Sequence, residues 1–311
     1  MIAQYLPRNV SELGYHLYTI FLFTRADIRT ALIPVALFAF VSAPLYSPIH
    51  VLHSVAWIWL HLLQFNVANQ LESPEEDKIN KPSRPLPSER ITMQNATVLR
   101  WMLSPICLAF SALYSPQLAF VSVGMQLFTI WYNEFDGDKK WASKNILTAI
   151  MYGYMEAGGT LAAGRDYSQL GETAQLAISL TVLVFASTLH AQDFKDAAGD
   201  RLTGRLTLPI LFPVASRIFI GLGIPLWSIC LCLIWDVDIL SSVAFIAYGC
   251  FVGARFVLYR TVEADRRSCK FYSLWFSIHH VFPGYWNYFH DGRDYQSSIL
   301  LKTWTALAGT F

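Results

Sequence analysis

Charge is what this chain has least of. Only 14% of its 311 residues are Asp, Glu, Lys or Arg, against roughly 25% in an average soluble domain, and that deficit excludes an ordinary soluble enzyme. Neither sign is in excess: 23 Lys and Arg face 22 Asp and Glu. No strongly basic or acidic surface therefore exists for nucleic acid or a polyionic client. The five cysteines, Cys107, Cys230, Cys232, Cys250 and Cys269, are odd in number and lie mostly in apolar stretches. That excludes a spaced extracellular disulfide framework and marks them as packing residues. The amino-terminal stretch has no basic region before its apolar part and no small-residue cleavage site, so it is expected to be retained.

What the chain has in plenty is uninterrupted apolar sequence. No Asp, Glu, Lys or Arg lies between Thr30 and Leu71 or between Trp101 and Asn133, and each run is long enough for two membrane helices of about 20 residues. Hydropathy and breaks predict nine spans near residues 28–46, 50–70, 95–114, 117–134, 146–164, 173–191, 211–234, 239–259 and 270–289. This describes an all-α polytopic bundle. Tyr46-Ser47-Pro48 and Tyr114-Ser115-Pro116 predict tight hairpins on one side, with Pro seeding the next helix. On the other side, the connections 70–94, 135–145, 192–206 and 260–270 hold 14 Lys and Arg, whereas the four opposite connections hold one, Arg165. Positive residues mark the cytoplasmic face, so the amino-terminal segment 1–27 and these four loops are expected in the cytosol, and the carboxy terminus on the far side.

Two of the cytosolic segments depart from the apolar pattern in the same way. One, after the second span, runs Asn69-Gln70-Leu71-Glu72-Ser73-Pro74-Glu75-Glu76-Asp77 and continues through Asn80, Pro82, Arg84, Pro85 and Pro87. The other, after the sixth, runs Asp193-Phe194-Lys195-Asp196-Ala197-Ala198-Gly199-Asp200 and ends Gly204-Arg205-Leu206-Thr207-Leu208-Pro209. They look like halves of an internal repeat. On a continuous helix, spacings of three and four would bring Asp193, Asp196 and Asp200 to one face, and Asn69, Ser73 and Asp77 to another. An all-oxygen set of this kind suits Mg²⁺, which completes its shell with water and substrate phosphates. With Arg and Lys nearby it would hold a diphosphate, above a hydrocarbon-lined cavity. The plain alternative is a pair of solvated loops whose charges merely balance.

The paired motifs resemble those of the UbiA superfamily of intramembrane prenyltransferases, N-D-x-x-D-x-x-x-D continued as x-x-N-R-P-x-R-P-x-P, and D-x-x-D-x-x-G-D followed by G-x-x-T-L-P. The second is intact here, and the first matches at Asn69, Asp77, Asn80, Pro82, Arg84, Pro85 and Pro87. Two of the first motif's acidic positions hold Gln70 and Ser73 instead, with Glu72 and Glu76 as possible substitutes. The Asn-Gln, Glu-Asp, Asn-Lys-Pro pattern is similar to a fungal branch that includes UbiA-type terpene cyclases. The resemblance implies one integral membrane domain over 1–311, with 70–94 and 192–206 as active-site loops. It also implies Mg²⁺ held by Asn69, Asp77, Asp193, Asp196 and Asp200, and a diphosphate held by Arg84, Lys144, Lys195, Arg205 and Arg29. The expected activity is ionisation of an isoprenyl diphosphate, farnesyl diphosphate by family analogy, followed by cyclisation. Prenyl transfer to an aromatic or polar acceptor is the alternative, a transporter without chemistry a third. The endoplasmic reticulum is the expected membrane.

Other residues carry weaker signals. Glu156 is a carboxylate inside the fifth span and could pair with an Arg or a backbone group. Tyr152 and Tyr154 enter the bundle with it. His190 reads as a packed helix residue, and His279-His280 lacks a third zinc ligand nearby. Aromatic residues make up 15% of the chain, enough both to anchor it at the lipid interface and to line a cavity for an allyl cation. The charge bias is directly testable. A cysteine introduced at Ser88 or Ser143 should react with a membrane-impermeant reagent from the cytosolic face, and one at Ser168 from the opposite face.

Overall fold

The computed structural model describes residues 8–45 and 47–290, with side chains from Glu12 onward, and among them every regular element is a helix. The long helices are α1 (Arg8–Thr24), α2 (Ile33–Ser42), α3 (Pro48–Glu72), α5 (Met93–Ala112), α6 (Pro116–Glu134), α7 (Trp141–Ala163), α8 (Glu172–Thr188), α11 (Ala215–Ile234), α12 (Ile239–Leu258) and α13 (Val262–His279). Shorter ones are α4 (Pro74–Asn80), α9 (Ala197–Leu202), α10 (Leu208–Leu211) and α14 (Phe282–His290). A π-helical turn, Ile28–Leu32, leads into α2, and a 3₁₀ segment, Leu189–Lys195, continues α8. Four stretches, Pro48–Glu72, Glu172–Lys195, Ala215–Ile234 and Ile239–Leu258, are long and apolar enough to cross a bilayer by themselves. The chain is an integral membrane helical bundle.

Every expected span meets a helix, and both predicted hairpins open on Pro at the first helical position of α3 and α6. Tyr46 lies outside the described residues. Three expectations are corrected. The segment 1–27 contains α1, whose Phe23 is buried against Leu63, Val67, Leu86 and Leu103, so it is part of the bundle. The charged stretch 260–270 is mostly helix: Thr261 caps α13 by accepting from Ala264 N, and Asp265 in its first turn is paired with Arg217 at 2.7 Å. Finally, the expected span 270–289 is broken after His279, and α14 restarts with Pro283 in its first turn, the one place a helix tolerates proline freely.

Helix α7 is the hub, packing on α2, α3, α6 and α8. Its glycines permit this. A Cβ on Gly158 would lie 2.0 Å from the Trp57 ring, and one on Gly159 would lie 2.8 Å from Ile58. Trp57 cannot move aside, because it is fully buried, stacks on His61 with centroids 3.7 Å apart, and donates from Nε1 to Ser111 Oγ at 2.8 Å. Ser54 Oγ reaches the Gly159 carbonyl at 2.8 Å across the same seam. Replacing Gly158 by Ala should therefore cost about 1–3 kcal/mol through overpacking, seen as a lower unfolding temperature of the detergent-solubilised protein.

Candidate active site

At one end of the bundle the two acidic segments fold against each other, with α4 packed on α9. The closest approach is Asn80 over Gly199, where a Cβ would lie 2.2 Å from Asn80 Nδ2. A third segment, residues 135–140, joins them by backbone hydrogen bonds: Leu206 N donates to Lys139 O at 2.9 Å, and Trp141 N to Leu206 O at 3.0 Å. Gly204, at φ 72°, makes the left-handed turn that sends the chain from α9 back toward this segment.

The guanidinium of Arg205 ties all three segments together. Its Nε and one terminal nitrogen donate to Asp138 Oδ2 at 2.8 and 2.6 Å, and the same terminal nitrogen donates to Ser73 Oγ at 3.2 Å. The other terminal nitrogen donates to Glu76 and lies 3.7 Å from Asp200 Oδ1. Around this cluster the remaining acids each meet a base. Arg84 Nη1 contacts both oxygens of Asp77 at 2.8 Å, and Lys144 and Lys195 each donate at 2.6 Å, to Asp193 and Asp196 respectively. Asp193 Oδ2 is buried without a partner. Burial, together with the Asp193 and Glu76 carboxylates, outweighs Lys144 and Arg205 and pushes Asp200 up to about 6. Half-buried Lys81, beside Arg84 and Lys195, is held below the ordinary lysine range by burial and then by Arg84, although Asp196 acts the other way.

The structure brings Asp77, Arg84, Lys144, Asp193, Lys195, Asp196, Asp200 and Arg205 to this end of the molecule, but not on the two expected helical faces. Ser73, at φ −132° and ψ 52°, separates α3 from α4 and breaks the Asn69, Ser73, Asp77 register. The Asp193 segment is a 3₁₀ turn that ends at Asp196, so Asp200 belongs to a different helix. No three carboxylate, His or Cys side chains among the described residues form a ready metal cage. Asn69 is half-buried on α3. Arg205, expected on the diphosphate, is occupied by acids, and Arg29 is exposed and takes part in none of these ion pairs. Asp138 and Lys81 were not singled out in the sequence. The turn-like run Asp136-Gly137-Asp138-Lys139-Lys140 is the signal that could have found the first.

The fold and its paired acidic segments define an intramembrane helical protein with an acidic and basic cluster at one end. Residues 31–276 match the UbiA prenyltransferase family, and the chain belongs to that family. It is 32% identical over 271 residues to the fumagillin β-trans-bergamotene synthase of Aspergillus fumigatus, covering 86% of this chain and 92% of that one. It is 28% identical over 270 residues to a diterpene cyclase of Hericium erinaceus, covering 82% and 84%. A solved UbiA homolog from Archaeoglobus fulgidus, bound to DMAPP and Mg²⁺, superposes with a TM-score of 0.63 over 86% of this chain and 99% of that one. At 14% identity that likeness is one of fold.

The residues present fit a divalent cation in chemistry: the donors are all oxygen, one buried carboxylate oxygen of Asp193 is free, and Asp200 is raised by burial and then by the Asp193 and Glu76 carboxylates. Removing Arg205 tests the electrostatic junction itself. Arg205→Ala leaves Glu76 and Asp138 buried without their partner, and breaking such a pair costs about 3–5 kcal/mol. A large drop in unfolding temperature is expected, with Arg205→Lys recovering only part of it, since an ammonium lacks the planar set of five donors.

Proposed function

We propose that the chain is a Mg²⁺-dependent terpene cyclase. It would ionise an isoprenyl diphosphate, farnesyl diphosphate in the first instance, and quench the cation within the same molecule. The observation that carries this is the ion-paired cluster of two acidic segments set directly above an aromatic interior, in a chain 32% identical to a terpene synthase. Bound at Asp77, Asp193, Asp196 and Asp200, with Asn69 at its edge, a divalent cation would neutralise the leaving diphosphate. Lys144 and Lys195 would exchange a carboxylate for a phosphate oxygen, and Lys81, beside Arg84, would add a further donor to the anion. Arg205 would hold the loops in register, and Arg84 would fix Asp77. Beneath them, Tyr132, Tyr152, Phe185, Phe194, Tyr272 and Phe276 are buried in one continuous core that excludes water and presents ring faces to a cation. The site faces the cytosol by the charge bias of the loops, with the endoplasmic reticulum as the membrane.

Prenyl transfer to an acceptor is the second reading, supported by the family's own description as prenyltransferases. The two separate in one assay. Purified protein given farnesyl diphosphate and Mg²⁺ should release diphosphate and form a terpene with no acceptor supplied. EDTA should abolish both, and Asp196→Ala or Asp200→Ala should lower turnover at least about 100-fold while the protein stays monodisperse. Diphosphate release that appears only on adding an aromatic or quinol acceptor would replace cyclisation by transfer.

A further inference from the structure

Deep in the bundle, away from the acidic loops, lies a second ionisable group that the reaction above leaves unused. Glu156 on α7 and His280, at the break between α13 and α14, are both fully buried, with Glu156 Oε1 2.8 Å from His280 Nε2. The contact is poorly aligned for a ring N–H donor, and the carboxyl's other polar neighbour is the Thr181 hydroxyl, itself 3.3 Å from His279 Nε2. The imidazole's other nitrogen, Nδ1, is bonded to the Phe276 carbonyl. A carbonyl only accepts, so Nδ1 carries the hydrogen, and Nε2 of the neutral ring presents a lone pair to Glu156. The short contact then requires a proton between them, held on the Glu156 carboxyl. Aromatic rings enclose the pair: Phe276 and Tyr152 lie 4.7 and 5.8 Å from the His280 ring, Phe38 lies 5.9 Å away, and Phe185 stacks on Phe276 at 4.7 Å. Glu156 is also one turn beyond Tyr152, on the same face of α7.

Resting on the cyclase reading above, we propose that the Glu156–His280 dyad is the base that ends the cation cascade. In the final step a C–H bond adjacent to the cationic carbon breaks and its electron pair becomes the new C=C bond. The proton goes to Glu156 Oε2 while the proton shared with His280 moves onto Nε2. The substrate's positive charge thus ends as an imidazolium, balanced by the diphosphate released at the first step. Even a weakly basic dyad suffices, because a carbocation is a far stronger acid than either partner. Helix α7 also sets the distance. Lys144, which holds Asp193, and Glu156 are twelve residues apart on one unbroken helix, about 18 Å at 1.5 Å per residue. The diphosphate end is therefore too far off to serve as base for a carbon at this depth.

The test uses the full-length protein in detergent or nanodiscs with Mg²⁺ and farnesyl diphosphate. Glu156→Gln should release diphosphate within about threefold of the native rate, lose the native terpene at least about tenfold, and yield water-captured alcohols or differently placed alkenes. Glu156→Asp should restore part of the native product. A folded Glu156→Gln protein with the native product profile would overturn the proposal, as would one that no longer releases diphosphate. Should that variant fail to fold, His280→Gln is read the same way. In the native protein, substrate deuterated across the two isoprene units remote from the diphosphate should lose one deuterium on cyclisation. Loss from the proximal unit would overturn the dyad. If the native protein makes no terpene without an acceptor, the cyclase reading fails and the dyad with it. If it does and the variants match it, only the dyad fails.

Discussion

The active end of this protein depends on one buried guanidinium. Arg205 is 7% exposed and spends its donors on Ser73, Glu76 and Asp138, with Asp200 close by. These acceptors come from the α3–α4 junction, from α4, from the α6–α7 connection and from α9, which are far apart in sequence. Carboxylates buried this deeply repel one another and lose their hydration, and a planar cation with a fixed fork of donors can satisfy several of them together. The backbone pairing of Leu206 with Lys139 and Trp141, and the seating of Asn80 on Gly199, place the guanidinium where it can do so.

Below that junction the polar groups of the spans are mostly paired locally, as hydrocarbon demands. His61 lies between the Trp57 carbonyl and Ser122, Thr188 meets Tyr272 at 2.8 Å, and Arg217 grips Asp265 and the Phe256 carbonyl. Serine and threonine hydroxyls return to carbonyls four residues back along their own helices, at Ser111, Thr129 and Ser228 among others. Glu156 stands apart as a fully buried carboxyl that meets no Arg or Lys, only the neutral imidazole of His280 at 2.8 Å and the Thr181 hydroxyl. An ionisable group kept inside a membrane helix is costly, which is why it invites a role in chemistry rather than in packing.

Much of this was legible in the sequence. Uncharged runs located the spans, proline set the hairpins, and the two acidic segments stood out from the apolar pattern, because each signal is local to a few residues. What escaped were features decided by contacts across the chain. Helix α1 carries too little continuous apolar sequence to read as a span and is fixed by Phe23 against α3. The break after His279 follows a helix whose polarity varies along its length, with Glu263, Asp265, Arg266 and Arg267 near its start. Spacing alone suggested that Asp193, Asp196 and Asp200 share a face, yet a 3₁₀ turn gives them separate bases instead. Asp138 was hidden in a loop whose partner, Arg205, lies 67 residues on.

The two departures in the first motif make sense within the same geometry. Gln70 donates from Nε2 to the Phe23 carbonyl at 3.0 Å, a bond that an ionised aspartate, being acceptor only, could not make. It anchors the end of α1. Ser73 accepts from Arg205, where a further carboxylate would add repulsion beside Glu76. With those substitutions the cluster holds seven acids, Asp27, Glu76, Asp77, Asp138, Asp193, Asp196 and Asp200, against five bases, Lys81, Arg84, Lys144, Lys195 and Arg205. Acids thus outnumber bases, and Asp200, raised by burial and by the Asp193 and Glu76 carboxylates, is pushed up to about 6. On the proposed reading, a bare diphosphate would be repelled by such a site, whereas one carried with a divalent cation would be accepted. On the same reading, that cation would take over the carboxylates that Lys144 and Lys195 now hold, so both could turn to phosphate without leaving a large uncompensated charge at the membrane surface.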